Sequence, residues 1–390
     1  MKFDFDKVVD RHGTKCLKYD FAKERGRSDD MLPLWVADMD FQTAPGIQKS
    51  LSDAVAHGIY GYSEGKDDYF QAAAGWYEKH FGWKVEKEWL IKTPGVVFAL
   101  AMAVKAYTKE GDAVLLQQPV YYPFSEVITD NHRRLINSPL QQIDGHYEIN
   151  FEEFEQKIVE ENVKLFLMCS PHNPVGRVWK EWELRKIGDI CLKHNVLVVS
   201  DEIHSDFTYG ENIHHVFASL DEKYAAITTT CTAPSKTFNI AGLQISNIWI
   251  SNPELRARFR AEVTAAGYSQ VNLMGLVACQ AAYETGEEWL KELKIYLEGN
   301  LDYVRTFLKE NLPEIKLTEP EGTYLLWLDF KSLGMKEEQL KDLVENKAKL
   351  WLDSGAMFGP DGEGFERINI ACPREILKQA LTQLAESVHD

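Results

Sequence analysis

The 390-residue chain is 45% apolar and 26% charged, a globular composition that excludes a disordered protein. Its 43 Lys and Arg against 60 Asp and Glu leave a net charge of −17, which argues against nucleic acid and anionic membrane surfaces as partners. The length suits two domains or one large α/β unit. The longest apolar run, Val96 to Val104, is about half of the roughly 20 residues a membrane span needs. The acidic amino end, Phe3-Asp4-Phe5-Asp6, is unlike a signal peptide. Six scattered cysteines without C-x-x-C spacing read as free thiols, with Cys169, Cys191 and Cys231 buried. A reducing, cytoplasmic location is expected.

In chain order, the first 40 or so residues show no periodicity and are expected to pack on a smaller domain. Trp89 to Lys92 is strand-like and precedes a helical run. Ala113 to Gln117, Lys164 to Cys169, Val196 to Ser200, Ala225 to Cys231 and Ile245 to Ile250 read as buried strands. Between them, Phe151 to Glu160 and Glu181 to His194 have helical spacing, the second stopping at Asn195. This alternation predicts a mainly parallel sheet sandwiched by helices, with ligands at the carboxyl ends of its strands. Long helices follow at Pro253 to Ala266, Leu273 to Thr285 and Trp289 to Asn311. A strand at Tyr324 to Asp329, a helix around Lys336 to Asn346, a strand near Arg367 to Ile370 and a last helix from Arg374 predict a smaller α+β unit.

Four features on this frame carry chemistry. Lys236, in Ala233-Pro234-Ser235-Lys236-Thr237-Phe238, stands just past an apolar strand, where burial would lower its pKa and suit covalent chemistry with a carbonyl. Asp201 ends an apolar strand and would aim a carboxylate into the crevice. Asn173 lies in a loop fixed by Pro171, Pro174 and Gly176. Thr93-Pro94-Gly95-Val96-Val97 opens a helix whose free N–H groups could cradle a phosphate. No Walker A loop or G-x-G-x-x-G occurs, so nucleotide readings have no motif behind them. His214-His215 reads as an exposed loop, and no H-x-x-x-H or H-x-H spacing supports a metal.

The order of these features resembles the fold-type I pyridoxal 5′-phosphate enzymes, the class I/II aminotransferase superfamily. Within it, Trp35-Val36-Ala37-Asp38-Met39-Asp40, Tyr60-Gly61-Tyr62-Ser63, Asp201-Glu202-Ile203-His204-Ser205-Asp206 and the segment around Lys236 are most similar to the MalY/PatB group of cystathionine β-lyases, or C–S lyases. The resemblance implies a seven-stranded-type cofactor domain at 45–285 and a small domain from 1–44 plus 286–390. It implies that Lys236 carries the cofactor and then moves the Cα proton. Asp201 would pair with the ring nitrogen, Asn173 with the ring oxygen, and Tyr121 would stack on the ring. Val96 and Val97 would hold the phosphate with Thr232 or Ser235, and His204 would lie beside the cofactor. Arg367 would fork onto the substrate carboxylate, with Ala37, Tyr121 and Asn173 also at the substrate. Tyr62, or Tyr60, would come from the second subunit of a homodimer with a shared site.

Two positions depart from the aminotransferase pattern: His204 replaces a tyrosine, and Gln244 replaces an arginine on the phosphate. The activity implied is β-elimination of cystathionine or another S-substituted cysteine to a thiol, pyruvate and ammonia. The alternatives are a class I/II aminotransferase and a cofactor-bound protein that contacts a regulator. Trp35, Phe41, Tyr121 and Tyr122 would give the mouth an aromatic character, though all but Tyr121 are expected in the core.

Overall fold

Seven strands form the central sheet of the computed structural model, which describes residues 2–389. They are β1 Leu90–Thr93, β2 Ala113–Leu116, β3 Arg134–Asn137, β4 Val163–Cys169, β5 Leu197–Asp201, β6 Thr228–Thr232 and β7 Ser246–Trp249. Their spatial order is β1-β7-β6-β5-β4-β2-β3. Only β7 runs antiparallel to the other six strands of this sheet.

The helices are α1 Pro45–His57, α2 Asp67–Phe81, α3 Val96–Tyr107, α4 Phe151–Glu160, α5 Glu181–Lys193, α6 Pro253–Ala265, α7 Leu273–Thr285, α8 Glu287–Asn311 and α9 Arg374–His389. Strand alternation sends Val114 and Leu116 to one face of the sheet, against Leu100 of α3 and Phe259 of α6. Ala113 and Leu115 go to the other, against Phe154 of α4 and Leu184 of α5. Burial on both faces explains why these strands read as continuous apolar runs.

A second, antiparallel sheet contains β8 Lys316–Thr318, β9 Leu325–Asp329, β10 Asp353–Ser354 and β11 Phe365–Asn369, in the order β8-β9-β11-β10. The amino-terminal segment leans on this part of the chain. Leu32 and Pro33 pair in parallel with Leu350 and Trp351. Trp35 stacks on Trp351 with ring centroids 4.5 Å apart. The Asn369 amide donates to the carbonyls of Val36 and Asp38, both at 2.6 Å. Nothing local in the first 40 residues encodes these partners. They bring Ala37 and Asp38 to the edge of the central crevice.

Several expectations need correction. The strand foreseen at Ala225 to Cys231 begins only at Thr228, because Asp221 caps a short helix over Glu222–Ala225 by accepting from the Lys223 N–H. The helix around Lys336 is Glu337–Lys341 followed by a π-helical stretch, Asp342–Lys347. Helix α1 escaped notice because Ile47 is its only buried side chain. His214 is not exposed: its Nε2 lies 2.8 Å from Glu202, and both side chains are buried. Among the described residues no helix is long and apolar enough to cross a membrane.

Candidate active site

Strands β4, β5 and β6 end side by side, and the loops that follow them frame a cavity of about 390 Å³. Its lining includes Lys236, Asp201, Asn173, Tyr121, His204, Ser235, Ala37, Val96 and Val97. Residues from six separate stretches of sequence thus converge on one crevice, as expected for the carboxyl edge of an open parallel sheet.

Lys236 sits on the short helical turn Pro234–Thr237 just after β6, and its Nζ donates to the Ala37 carbonyl at 2.8 Å. Burial lowers its pKa to about 8; Arg367 adds to the effect, while Asp38 and Asp201 oppose it. Asp201 closes β5, and one oxygen accepts from the Ile203 N–H at 3.1 Å. Burial lifts its carboxyl to about 7, with Glu202 reinforcing the shift. Its charge is therefore poorly compensated by protein alone. His204 is buried, its Nδ1 has no partner, and burial pushes its pKa down to about 3. The ring is a neutral imidazole.

Opposite these groups, α3 begins at Val96 after Gly95, without a side-chain cap. Its first N–H groups have no intrahelical acceptor, and the helix dipole makes the spot attractive to an anion. A Cβ at Gly95 would project into open space, so the glycine leaves room at the cavity wall. Ser235 lines the same cavity. Thr232 does not: its hydroxyl donates to the Asn247 carbonyl at 2.8 Å and accepts from the Trp249 indole at 3.0 Å. The alternation of β6 and the pairing with β7 commit that side chain elsewhere.

Arg367, on β11, is buried against Asn173, a residue of the cavity lining. It donates to Asn173 Oδ1 at 3.1 Å and to the Trp35 carbonyl at 2.8 Å, and forms an ion pair with Asp353. Its Nε is left without a partner. Tyr62 is 95% exposed, and it and Tyr60 line a separate surface pocket rather than this cavity. Trp35 and Phe41 are core residues as expected, and Tyr122 lies edge-on to Phe358. Sequence reasoning missed Asp353, which anchors Arg367, and Tyr324, whose hydroxyl donates to the Ala37 carbonyl at 3.0 Å. Neither stands in a motif. Phe98, Phe124 and Ile203 complete the apolar wall.

An amine of depressed pKa, a buried acid and an anion cradle around an apolar slot suit a phosphorylated aromatic aldehyde. The class I and II aminotransferase family model matches residues 30–384. The chain belongs to that family. It is 43% identical to cystathionine β-lyase PatB of Bacillus subtilis, over 98% of each chain. Cystalysin from Treponema denticola, whose structure contains pyridoxal 5′-phosphate, is 39% identical and superimposes with a TM-score of 0.97 over 100% of both chains. The pyridoxal-phosphate-bound C–S lyase of Staphylococcus hominis is 33% identical, with a TM-score of 0.93 over 100% of this chain and 98% of its own.

Proposed function

We propose that the protein is a pyridoxal 5′-phosphate-dependent cystathionine β-lyase, acting on L-cystathionine or related S-substituted cysteines. The observation that carries this reading is the Lys236 amine, brought by burial to a pKa of about 8 in the cavity that also holds Asp201. The cavity fits the cofactor on its own chemistry. Asp201, buried without a cationic partner, would gain one from a protonated ring nitrogen. The amino terminus of α3 with Ser235 would take the phosphate. Asn173 would meet the ring oxygen and Tyr121 the ring face. The orphan His204 Nδ1 gives a further polar contact on the same wall.

When bound, pyridoxal phosphate supplies an electron sink for the charge that develops at the substrate Cα. Asp201 would sustain that sink by keeping a proton on the ring nitrogen. Lys236, held at the Ala37 carbonyl, is placed to accept the Cα proton as a general base, and its lowered pKa gives it a larger neutral fraction near neutral pH than an exposed lysine has. Arg367 would receive the substrate α-carboxylate through its unpartnered Nε, oriented by Asp353 and Asn173. The Cβ–S bond then breaks with its electron pair on sulfur. One water is consumed, and a thiol, pyruvate and ammonia leave.

In the same reading, residues 45–285 form the cofactor domain, and 1–44 with 286–390 the smaller one. The protein would act as a homodimer, with the exposed Tyr62 reaching the neighbouring site. Incubation of the cofactor-loaded protein with L-cystathionine and no 2-oxo acid tests the activity. Pyruvate and free thiol should accumulate over many turnovers. A single half-reaction that stalls would favour transamination and overturn the lyase reading.

A further inference from the structure

Lys236 also lines a second cavity, of about 500 Å³, bounded by the amino-terminal segment through Val9, Arg11 and Leu17 and by Val36 and Asp38. The mechanism above gives this space no task. Asp38 directly follows Ala37, whose carbonyl holds the Lys236 amine. A leaving group departing from the reaction centre therefore has this space beside it.

The charged wall of the cavity has a particular pattern. Arg11 engages Asp38 with one edge of its guanidinium: Nη1 donates to Oδ1 at 3.2 Å and Nη2 to Oδ2 at 2.6 Å. Nη1 also donates to Asp40 at 2.7 Å and to the Met39 carbonyl at 3.2 Å. Among the described residues, the other edge, Nε with the second Nη2 hydrogen, meets no acceptor. A guanidinium edge of that kind accepts a carboxylate in two parallel hydrogen bonds. Arg11 and Asp38 keep side-chain exposures of 22% and 21%, so both stay accessible. Asp40 is instead covered, and is paired from behind by the buried Lys18 at 2.7 Å.

Two carboxylates and two cations thus balance within the cluster. A tail with only one charge would gain one contact and meet repulsion from the opposite member of the exposed pair. A zwitterionic tail sets its carboxylate on Arg11 and its ammonium on Asp38. The apolar walls at Val9, Leu17 and Val36 suit the methylenes between sulfur and those charges. We infer that Arg11 and Asp38 are the specificity-determining residues that hold the zwitterionic end of the leaving group. This rests on the β-elimination reading and assigns the residues that select its substrate.

Arg11 also ties Asp38 to Asp40, so its removal could loosen the fold; Arg11→Lys keeps the charge and loses the fork. The test compares kcat/KM for L-cystathionine with that for S-butyl-L-cysteine, whose tail has no charge. Wild type should favour cystathionine at least tenfold, and Arg11→Lys should cut that ratio at least tenfold. An unchanged ratio, with both substrates affected alike, overturns the subsite. In the wild-type protein, S-(3-aminopropyl)-L-cysteine, which lacks only the distal carboxylate, should show a KM at least tenfold above that of cystathionine; equal values overturn it independently of any variant. In a Lys236→Ala background, where elimination stops, the cofactor's visible band reports binding, and the Kd ratio should follow the same pattern. Pyruvate from none of these thioethers would instead reject the lyase reading itself.

Discussion

Asp201 shows what a functional residue costs the fold. Its carboxyl is raised from 3.8 to about 7 by burial, with no cation bonded to it. The folded state therefore holds the proton more tightly than the unfolded one, and stability drains away as pH rises from about 4 to 7. Above pH 7 the full penalty is present. Asp201→Asn should accordingly raise the Tm of the cofactor-free protein by a few degrees at pH 8, and hardly at all at pH 4. The same variant should lose about a hundredfold or more in turnover, because an amide cannot hold a proton on the ring nitrogen. Calorimetry at the two pH values with pyruvate assays checks both parts. A destabilised variant at pH 8 would contradict the account.

At the scale of elements, the turn that carries Lys236 is held from behind. Asp206 is buried in the loop after β5 and accepts from Thr237 Oγ1 at 2.6 Å and from the Trp76 indole at 3.1 Å. One carboxylate therefore ties the residue next to Lys236 to helix α2. Asp206→Ala should leave both donors without an acceptor, at about 1–3 kcal/mol for each buried unsatisfied group. The relief of burying a carboxylate offsets part of that cost. We expect a lower Tm and a kcat that falls more than KM rises, since the cofactor cradle on α3 is untouched. A KM effect alone would show that the tie does not reach Lys236. The motif around Lys236 was legible in the sequence; this brace was not, because Asp206, Trp76 and Thr237 lie on three distant segments.

At the scale of the whole molecule, the proposed homodimer can be tested through Tyr62. Tyr62 is almost fully exposed and does not line its own cavity, which would suit a residue lent across the proposed symmetric dimer. Lys236→Ala and Tyr62→Ala homodimers should each be nearly inactive. When the two are coexpressed, each mixed dimer gains one site with both native residues, so about a quarter of wild-type activity should return. No recovery would place the Tyr62 contribution within its own chain. The net charge of −17 says nothing about this site, where the proposed function has Lys236 and Arg367 meet an anionic cofactor and substrate.

The sequence by itself determined the chain's family and the order of its chemistry. Lys236, Asp201, Asn173 and Gly95 each stand in a short segment whose local geometry, at a strand end or a helix start, is encoded by its neighbours. The α/β alternation was legible for the same reason, since strands buried on both faces leave continuous apolar runs. Only the tertiary structure decided where side chains of ambiguous register would face. It committed Thr232 to Asn247 and Trp249, tied Arg367 to Asp353, and buried His214 against Glu202. It also brought Arg11 to Asp38 beside Lys236, although the amino-terminal segment has no periodicity to announce it. Those pairings join residues distant in the chain, and hydrogen-bond partners of that kind are fixed by packing rather than by local spacing.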